Sequence, residues 1–432
     1  MKILFHTLGC KVNQYETQAM MAMLSDVGDT VGEFSPGDKD AAVADALVIN
    51  SCTVTAESDR KLRQLVRRCR RDNPTALLVV TGCMPQAFPE DGAALADADI
   101  VMGNADRHAV VERIHNYSAE SDRLVDIAPH TAVYEPLSIE QFAGRTRAFV
   151  KIEDGCNRFC SYCIIPYARG RVRSRPPEDL IRELTALSSA GYKEVVLVGI
   201  NLTAYGQDLG LSICDAVDAA CSVEGIERVR LGSIEPDHLT PDVIKRLSAQ
   251  EKLCPQFHLS LQSGCDATLK RMNRHYTSAE YAAVCDDLRK AFPGCSLTTD
   301  VMVGFPGEDE AEFEESLAFV QKIGFFKAHV FAYSRRPGTP AAKAPDQVPQ
   351  KVKTARSRRM IEVGDKERDR QLAAMMGSEV EVLLETRTAD GLIEGYTPTY
   401  LPVFCRTDKL PGDTVVCRLT SHKDGACYGE EI

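Results

Sequence analysis

Residues 148–170 read AFVKIEDGCNRFCSYCIIPYARG and hold three cysteines, Cys156, Cys160 and Cys163, within eight residues. The first part of this stretch, AFVKIEDG, has the apolar character of a buried strand. Cysteines directly after a strand lie at its carboxyl end, which is where the chemistry of βα barrels is found. The stretch therefore predicts a group of thiols at the carboxyl end of a buried strand.

The composition is typical of a multidomain globular protein. The chain has 432 residues, and at roughly 150 residues per domain it predicts two or three domains. It shows neither a secretory signal nor a membrane span, so we expect a cytoplasmic protein with reduced thiols and no membrane partner. Its 16 cysteines then favour metal or redox chemistry over disulfides, and its net charge of −11 still allows local basic stripes that bind nucleic acid.

Strand and helix patterns alternate six times around the cysteine stretch. The strands are predicted within AFVKIEDG, EVVLVGIN, ERVRLGS, QFHLSLQS, SLTTDVMVGF and HVFAYS. Six parallel strands with helices between them form a partial (β/α)6 barrel, short of the eight strands of a closed TIM barrel. We predict this barrel domain at residues 142–371.

The N-terminal part also alternates strands and helices. The runs KILFHTLG, ALVIN and ALLVVTG indicate buried parallel strands of a doubly wound α/β domain, predicted at residues 1–117 and followed by a polar, irregular connector at 118–141. A cysteine follows each strand: Cys10, Cys52 and Cys83. Taken singly, each is better explained as a small buried residue. Loops after parallel strands share one edge of the sheet, so we expect the three to meet in space.

The last part, residues 372–432, alternates like short strands, with Asp390-Gly391 and Pro411-Gly412 as turn signals. We predict a small antiparallel β-barrel, a class that often binds oligonucleotides. Three of its aromatic residues are candidates to stack on bases or, equally, to pack the barrel core: Tyr396, Tyr400 and Phe404.

Three basic runs favour a nucleic-acid partner. They are RKLRQLVRRCRR at 60–71, ARGRVRSR at 168–175 and the stretch 351–370. One such run is often a solvated helix face, but three near one edge favour a track for phosphates. RNA recognition usually targets single-stranded loops, and an anticodon loop is of this kind.

The chemistry of three close thiols points to an iron–sulfur cluster. Thiolates bind zinc or iron–sulfur clusters, but a structural zinc site wants four protein ligands and residues 148–170 hold no further cysteine or histidine. A four-iron cluster held by three cysteines leaves one iron open to chelate S-adenosylmethionine. The alternative, three unconnected structural cysteines, does not account for the spacing.

The Cys-x3-Cys-x2-Cys spacing, with Tyr162 before the third cysteine, resembles the radical SAM superfamily. With the N-terminal cysteines and the C-terminal barrel, the whole chain resembles the radical SAM methylthiotransferase family, whose last domain is called TRAM. The family-like blocks are TLGCKVNQYET, NSCTVTAES, TGCMPQ, GCNRFCSYCIIPYARG, HLSLQSGCDATLKRMNR and DVMVGFPGE. The KVN after Cys10 and the IIPYARGRVRSR after Cys163 are most similar to the MtaB-type branch.

The resemblance implies two [4Fe-4S] clusters and S-adenosylmethionine as cofactors. The radical SAM cluster, the catalytic group, would be held by Cys156, Cys160 and Cys163. An auxiliary cluster that holds or supplies sulfur would be held by Cys10, Cys52 and Cys83. Contacts to S-adenosylmethionine or substrate are expected along the barrel strands, where each residue is equally well explained as a turn or cap: Gly199, Asn201, Ser233, Gln262 and Asp300.

The implied reaction is methylthiolation of C2 of N6-threonylcarbamoyladenosine at tRNA position 37. Adenine C2–H is not acidic and has no leaving group, so a radical route avoids a barrier that polar steps would face. The implied partners are the tRNA anticodon stem-loop, a reductant such as flavodoxin or ferredoxin, and a sulfur donor. Sister activities on isopentenyladenosine in tRNA or on a ribosomal-protein aspartate stay open, as does a noncatalytic iron–sulfur RNA-binding protein.

Overall fold

The structure is a computed structural model that describes residues 1–38, 41, 43–118, 120–141 and 145–432. Residue 119 of the predicted connector and residues 142–144, where the barrel domain is predicted to begin, lie outside the described residues. In the described part of the chain, no helix is both long and apolar enough to cross a membrane.

The N-terminal domain is built on one parallel sheet. Its strands are β1 (Lys2–Thr7), β2 (Thr30–Glu33), β3 (Ala46–Ser51), β4 (Leu77–Gly82), β5 (Ile100–Met102) and β6 (Leu124–Asp126). Its helices are α1 (Lys11–Asp26), α2 (Ala56–Asp72), α3 (Cys83–Ala87), α4 (Pro89–Ala93) and α5 (Ala109–His115). The strand order is β2-β1-β3-β4-β5-β6, so β6 adds a sixth strand from within the stretch predicted as an irregular connector.

Helices cover both faces of this sheet. Ile3 and Phe5 of β1 belong to an apolar cluster with residues of α1 and α5. Leu4 points to the opposite face, because side chains alternate along a strand, and belongs to a second cluster with residues of α2. Every residue of β3 and β4 is buried, which explains their nearly continuous apolar sequence. The predicted doubly wound domain is confirmed.

The central domain carries the cysteine stretch. Its strands are β7 (Arg147–Lys151), β8 (Glu153–Asp154), β9 (Arg173–Ser174), β10 (Glu194–Val198), β11 (Arg228–Leu231), β12 (Ser233–Ile234), β13 (Gln256–Gln262), β14 (Ser296–Val303) and β15 (Lys327–Ala332). Its helices are α6 (Ile165–Arg169), α7 (Pro177–Ser189), α8 (Ile213–Ser222), α9 (Pro241–Ser248), α10 (Asp266–Arg271), α11 (Ser278–Ala291), α12 (Glu310–Ile323) and α13 (Pro340–Lys343).

The barrel strands run parallel in two sheets, ordered β11-β10-β7 and β12-β13-β14-β15. Only Gly232 separates β11 from β12, so the six predicted runs form one partial barrel with β7 and β15 at its edges. Val12 and Tyr15 of α1 belong to the same apolar cluster as the barrel core. The N-terminal domain is therefore packed onto the barrel through α1.

Local sequence signals account for several helix ends. Thr55 accepts a hydrogen bond from the Ser58 N–H at 3.1 Å and starts α2. Thr277 and Glu280 form a capping box at the start of α11. Gly324 takes the left-handed conformation that ends α12, which glycine adopts without steric cost.

The C-terminal domain is a closed five-stranded barrel that follows a long helix. The helix is α14 (Gln350–Ala374), and the strands are β16 (Glu379–Arg387), β17 (Ile393–Tyr396), β18 (Pro402–Arg406), β19 (Thr414–Lys423) and β20 (Ala426–Glu431). The barrel order is β16-β17-β18-β20-β19. All pairings are antiparallel except β18 with β20, which is parallel. The predicted small barrel is confirmed.

Candidate functional site

The three N-terminal cysteines lie at one edge of the sheet, as predicted. Strands β3 and β4 are in register up to their last residues, so Cys52 and Cys83, which follow directly, lie side by side. Gly9 has a φ of +129°, and a Cβ built on it would lie 2.9 Å from the Cβ of Cys52. The absence of a side chain at Gly9 thus allows the loop that carries Cys10 to approach Cys52.

Two of the three thiols are buried. Cys10 is exposed, whereas Cys52 and Cys83 are buried. Burial raises the pKa of Cys83 to about 12, although Arg169 acts in the opposite direction, and burial also raises the pKa of Cys52. Because a thiol must lose its proton to bind iron, a nearby cation favours the ligand form. Arg169 supplies one: its Nε donates to Cys83 Sγ at 3.1 Å.

The motif cysteines occupy a loop that a glycine makes possible. Gly155 has a φ of +89°, and a Cβ built on it would lie 1.9 Å from the carbonyl oxygen of Arg171. The next residue, Cys156, donates its N–H to Gly170 O at 3.0 Å. The start of the cysteine loop at Cys156 is therefore hydrogen-bonded to the segment at Gly170 that follows the loop.

The other two motif cysteines share a turn and a cation. Cys163 donates its N–H to Cys160 O at 3.0 Å. Burial raises the pKa of Cys163 to about 12, and Cys160 nearby raises it further. Arg274, on the loop after α10, donates to Cys160 Sγ at 3.3 Å and also to Glu235 at 3.3 Å. Each cysteine group therefore has one buried guanidinium in contact with a thiol.

Substituting Gly155 is expected to destabilise the fold through steric clash. Gly155→Ala forces a backbone shift around the motif loop, whereas Gly191→Ala has a similar φ of +93° and no atom within 4 Å of the added Cβ. We expect Gly191→Ala to lower the free energy of unfolding by about 1 kcal/mol and Gly155→Ala by at least about 2 kcal/mol more. Urea unfolding followed by circular dichroism measures both, and equal losses would contradict the clash.

Arg169 links the two cysteine groups. Helix α6 begins two residues after Cys163, and its five residues span about 7.5 Å. Its last residue, Arg169, has no exposed surface and reaches into the N-terminal domain. There it donates to Cys83 Sγ, to Asn13 Oδ1 at 3.2 Å and to Glu16 Oε2 at 3.0 Å. The two groups are therefore neighbours across the domain interface.

A buried charge network surrounds Arg169. Glu16 is fully buried and accepts hydrogen bonds from Arg107 at 2.6 Å and Lys151 at 3.0 Å. Burial raises the pKa of Glu16, but Arg107 and Arg169 outweigh it and lower that pKa to about 2. Lys151 also donates to Asp154 at 3.0 Å. The carboxylates stay ionised because the cations from both domains surround them.

The donor set fits two cubane clusters rather than single metal ions. No three histidine, cysteine, aspartate or glutamate side chains among the described residues are grouped to hold one metal ion. In a cubane each thiolate binds its own iron, so the ligands surround a volume and do not converge on one point. The six free thiols form two groups of three, and one thiol in each group accepts a hydrogen bond from a guanidinium. A nearby cation suits a cluster held by anionic thiolates. The cluster ligands stay a prediction.

Two of the predicted cofactor contacts, Gly199 and Asn201, lie next to the buried carboxyl group of Glu153. A Cβ built on Gly199 would lie 2.6 Å from Glu153 Oε2, and Asn201 donates its N–H to that oxygen at 2.8 Å. Burial raises the pKa of Glu153 well above its usual value, although the Asn201 N–H opposes this. Glu153 Oε1 is buried without a hydrogen-bond partner in the described structure. Gln262, another predicted contact, ends β13 with a φ of +69°.

The remaining two predicted contacts line a cavity of about 740 Å³ between the barrel strands and the C-terminal barrel. Ser233 and Asp300 contribute from the barrel, and Lys11, next to Cys10, contributes from the N-terminal domain. The three aromatic candidates also line it: Tyr396, Tyr400 and Phe404. These aromatics therefore face the barrel domain instead of packing the core of their own barrel.

Contacts between charged and aromatic side chains close this cavity on one side. Arg230 of β11 donates to Glu194 at 2.8 Å and to Pro398 O at 2.9 Å, which joins the two barrels. Its guanidinium also lies 4.8 Å from the ring centre of Tyr400. Tyr396 and Tyr400 are stacked with ring centres 4.8 Å apart.

The prediction that the run at 168–175 contacts phosphates is wrong for most of its arginines. Three are buried against carboxylates: Arg169, Arg173 and Arg175. Only Arg171 is exposed. The arginines of the runs at 60–71 and 351–370 also pair widely with acidic neighbours, for example Arg70 with Asp99. Basic composition does not distinguish a phosphate contact from an internal ion pair.

The sequence did not indicate Arg274 or Glu16 as site residues. It placed Arg169 in a run expected to contact phosphates, whereas Arg169 is buried. Arg274 ends the family-like block HLSLQSGCDATLKRMNR and Glu16 lies in TLGCKVNQYET, so both blocks contained the residue without indicating its contact. On its helix face Glu16 neighbours Val12, Ala19 and Met20, with Asn13 as the polar exception, and a charged residue on this mostly apolar face was the available signal.

Comparison with known proteins identifies the family. Models described as the Radical SAM superfamily, Uncharacterized protein family UPF0004 and the TRAM domain match residues 150–320, 2–103 and 373–430. A Bacillus subtilis protein, threonylcarbamoyladenosine tRNA methylthiotransferase MtaB, is 40% identical over 99% of this chain and 95% of its own length. The chain belongs to the radical SAM methylthiotransferase family. The predicted resemblance is thereby confirmed.

Other methylthiotransferases are similar along the chain. The MtaB protein of Thermotoga maritima is 37% identical over 91% of this chain and 89% of its own length. A tRNA-2-methylthio-N(6)-dimethylallyladenosine synthase of Clostridium botulinum is 35% identical over 99% and 96%. Among solved structures, the radical S-adenosylmethionine methyltransferase TsrM of Kitasatospora setae has a TM-score of 0.57 at 14% identity, covering 79% of this chain and 77% of that one. That likeness shows the fold alone.

Proposed function

We propose that this methylthiotransferase places a methylthio group on C2 of N6-threonylcarbamoyladenosine at position 37 of tRNA. The observation that carries the proposal is the pair of cysteine groups linked by Arg169, because replacing C–H by a methylthio group needs both a radical source and a sulfur source. The relatives named as MtaB, up to 40% identical, support the choice of nucleoside.

The cofactors are S-adenosylmethionine and two [4Fe-4S] clusters. A cluster with an open iron supplies, when bound, the electron that cleaves S-adenosylmethionine to a carbon radical able to take hydrogen from an unactivated C–H. Cys156, Cys160 and Cys163 would hold one cluster, and Cys10, Cys52 and Cys83 the other. Arg274 and Arg169 donate hydrogen bonds to the sulfurs of Cys160 and Cys83, and a cationic donor suits an anionic cluster.

The remaining site residues position the reactants. Gly199 and Asn201 would contact S-adenosylmethionine, and Glu153 holds their loop by accepting its N–H groups. Gln262 at the end of β13 would contribute from the adjacent strand. Ser233 and Asp300 would contact the adenosine or the cofactor from the wall of the cavity.

The substrate is tRNA, and we propose the anticodon stem-loop as the part that is bound. A base must leave its stack to enter a cavity, which a single-stranded loop permits at least cost. A reductant such as flavodoxin or ferredoxin and a sulfur donor complete the proposed partners. The reaction would take place in the cytoplasm, where reducing conditions keep the sixteen cysteines available as thiols.

The test is mass spectrometry of nucleosides from total tRNA of the host with and without this gene. We expect the methylthio group to disappear from threonylcarbamoyladenosine alone, and to return when the intact gene is restored. Loss from isopentenyladenosine instead would assign the sister activity. Unchanged tRNA nucleosides would refute the proposal and direct the search to an aspartate of a ribosomal protein.

A further inference from the structure

The cavity between the two barrels contains cations without an anionic partner. Four basic side chains line it: Lys11, Arg230, Lys327 and Arg368. Arg230 is engaged by Glu194 and by two carbonyl oxygens of the C-terminal barrel. Among the described residues, the other three form no ion pair within 4.0 Å. These three cations are therefore free of direct carboxylate contacts from the described residues, while Asp365 acts on Lys327 and Arg368 only from a longer distance.

The acidic groups that line the cavity form no ion pair with Lys11, Lys327 or Arg368 in the described part of the chain. Asp300 pairs with His258, with Nε2 and Oδ2 3.3 Å apart. Glu394 accepts a hydrogen bond from the Tyr396 hydroxyl at 2.8 Å. Asp424 is exposed in the turn after β19. Two of the three carboxylates are thus oriented by other side chains, and the third lies at the solvent edge, so none of them occupies the space beside Lys327 and Arg368.

Lys327 and Arg368 lie close together on the cavity wall. Lys327, His329 and Phe331 alternate along β15, so their side chains share the face that lines the cavity. Burial and the nearby Arg368 both lower the pKa of Lys327. The Nε of Arg368 is buried without a hydrogen-bond partner in the described structure, while its Nη2 donates to Gly425 O. Two like charges held together in this way favour binding of an anion between them.

Aromatic surface lies beside these cations. Phe331 is 49% exposed, although phenylalanine is among the residues most often buried. Tyr396 and Tyr400 add a stacked pair to the same cavity. The volume of about 740 Å³ is in the range of small-molecule pockets. An aromatic face next to paired cations fits a nucleobase that carries an anionic substituent.

We infer that this cavity binds the N6 side chain of the target adenosine, with its carboxylate held by Lys327 and Arg368 and the base stacked on Phe331. The inference rests on the proposed function and names the residues that select the nucleoside. A threonylcarbamoyl group ends in a carboxylate, whereas the dimethylallyl group of the sister substrate is a hydrocarbon. A site built around two cations rejects the hydrocarbon because the cations would lose water without gaining a partner.

The test is binding of anticodon stem-loop RNA without turnover. Fluorescence anisotropy compares three RNAs of one sequence that carry threonylcarbamoyladenosine, dimethylallyladenosine or plain adenosine, using cluster-loaded protein with S-adenosylmethionine and no reductant. We expect the intact chain to bind the first RNA about tenfold more tightly than the other two. Lys327→Met is expected to abolish that preference and to leave the affinity for plain adenosine unchanged.

Matched variants distinguish a loss of positive charge in the cavity from a general effect of substitution on the protein. Lys327→Arg keeps the charge and should keep the preference, as should Lys245→Met, which changes an exposed lysine on α9 away from the cavity. Arg368→Met should abolish the preference, while Arg370→Met, two residues further along α14 and exposed, should not.

Three results would overturn the inference, and they differ from one another. Equal loss of affinity for all three RNAs in Lys327→Met would mean that Lys327 binds a backbone phosphate. A preference that survives in both Lys327→Met and Arg368→Met would place the carboxylate elsewhere while leaving the proposed function intact. No preference for threonylcarbamoyladenosine in the intact chain would overturn both the inference and the proposed substrate.

Discussion

Cys83→Ala is expected to abolish methylthio transfer while leaving reductive cleavage of S-adenosylmethionine intact. Cys83 belongs to the N-terminal group, whereas in the proposed function the cleavage depends on the motif group around Cys160. Cys160→Ala is expected to abolish both reactions. Each variant should lose about four irons per chain, the content of one cubane cluster. Iron analysis, release of deoxyadenosine and the methylthio content of the RNA measure the three quantities separately.

Cys69→Ala is the matched control for these substitutions. Cys69 is a buried cysteine of α2, 4% exposed, that belongs to neither group, and burial raises its pKa to about 11. The Cys69 variant should therefore keep its iron and both reactions. The two-site interpretation would fail if Cys83→Ala kept its full iron content, or if it lost the cleavage of S-adenosylmethionine together with the transfer.

Arg169→Met is expected to lower the free energy of unfolding by about 3–5 kcal/mol, the usual cost of removing one partner from a buried ion pair. Arg169 and Glu16 are both fully buried, and the variant leaves the carboxylate with less positive charge around it. Cys83 also loses its hydrogen-bond donor. Urea unfolding of the full chain, followed by circular dichroism, measures the change.

Two further variants test whether this loss comes from the ion pair. Arg171→Met changes an exposed arginine two residues away and should alter the free energy of unfolding by no more than about 0.5 kcal/mol. The double variant Arg169→Met/Glu16→Gln should lose less than the sum of the two single variants, because the charges that each single change leaves unpaired are removed together. Strict additivity would show that the two side chains are not coupled.

The positions of the cysteines were accessible from the sequence alone. Cys10, Cys52 and Cys83 each follow a recognisable buried strand, and the carboxyl ends of parallel strands share an edge. A short apolar run and the residue after it are both local features. Reading them needs no knowledge of what the rest of the chain contacts.

The role of Arg169 was not accessible in that way. Its run, ARGRVRSR, has the composition of a solvated basic segment. Its partner Glu16 lies 153 positions earlier, in another domain. Nothing in the local pattern distinguishes an arginine that faces RNA from one that neutralises a buried carboxylate, since both require the same residue type.

For the aromatic residues of the last barrel, too, the sequence indicated the candidates and only the tertiary structure showed what they face. Tyr396 and Tyr400 were recognisable as candidates to stack on bases, but core packing explained them equally well from the sequence. Their position facing the central domain depends on how the two barrels dock, and Arg230 secures that docking through Glu194 and the carbonyl of Pro398.

The amino-acid sequence by itself determined the three-domain organisation, three of the six strands of the N-terminal sheet, the barrel strands and the six candidate cluster cysteines, because periodicity and spacing are properties of neighbouring residues. Only the tertiary structure decided which arginines are buried, that Arg169 from the motif segment contacts Cys83 of the N-terminal group, and that a cavity with Lys327 and Arg368 forms between the barrels. The physical reason is that a charged side chain is buried only where partners from distant segments compensate its loss of water. That compensation exists only once the domains have packed.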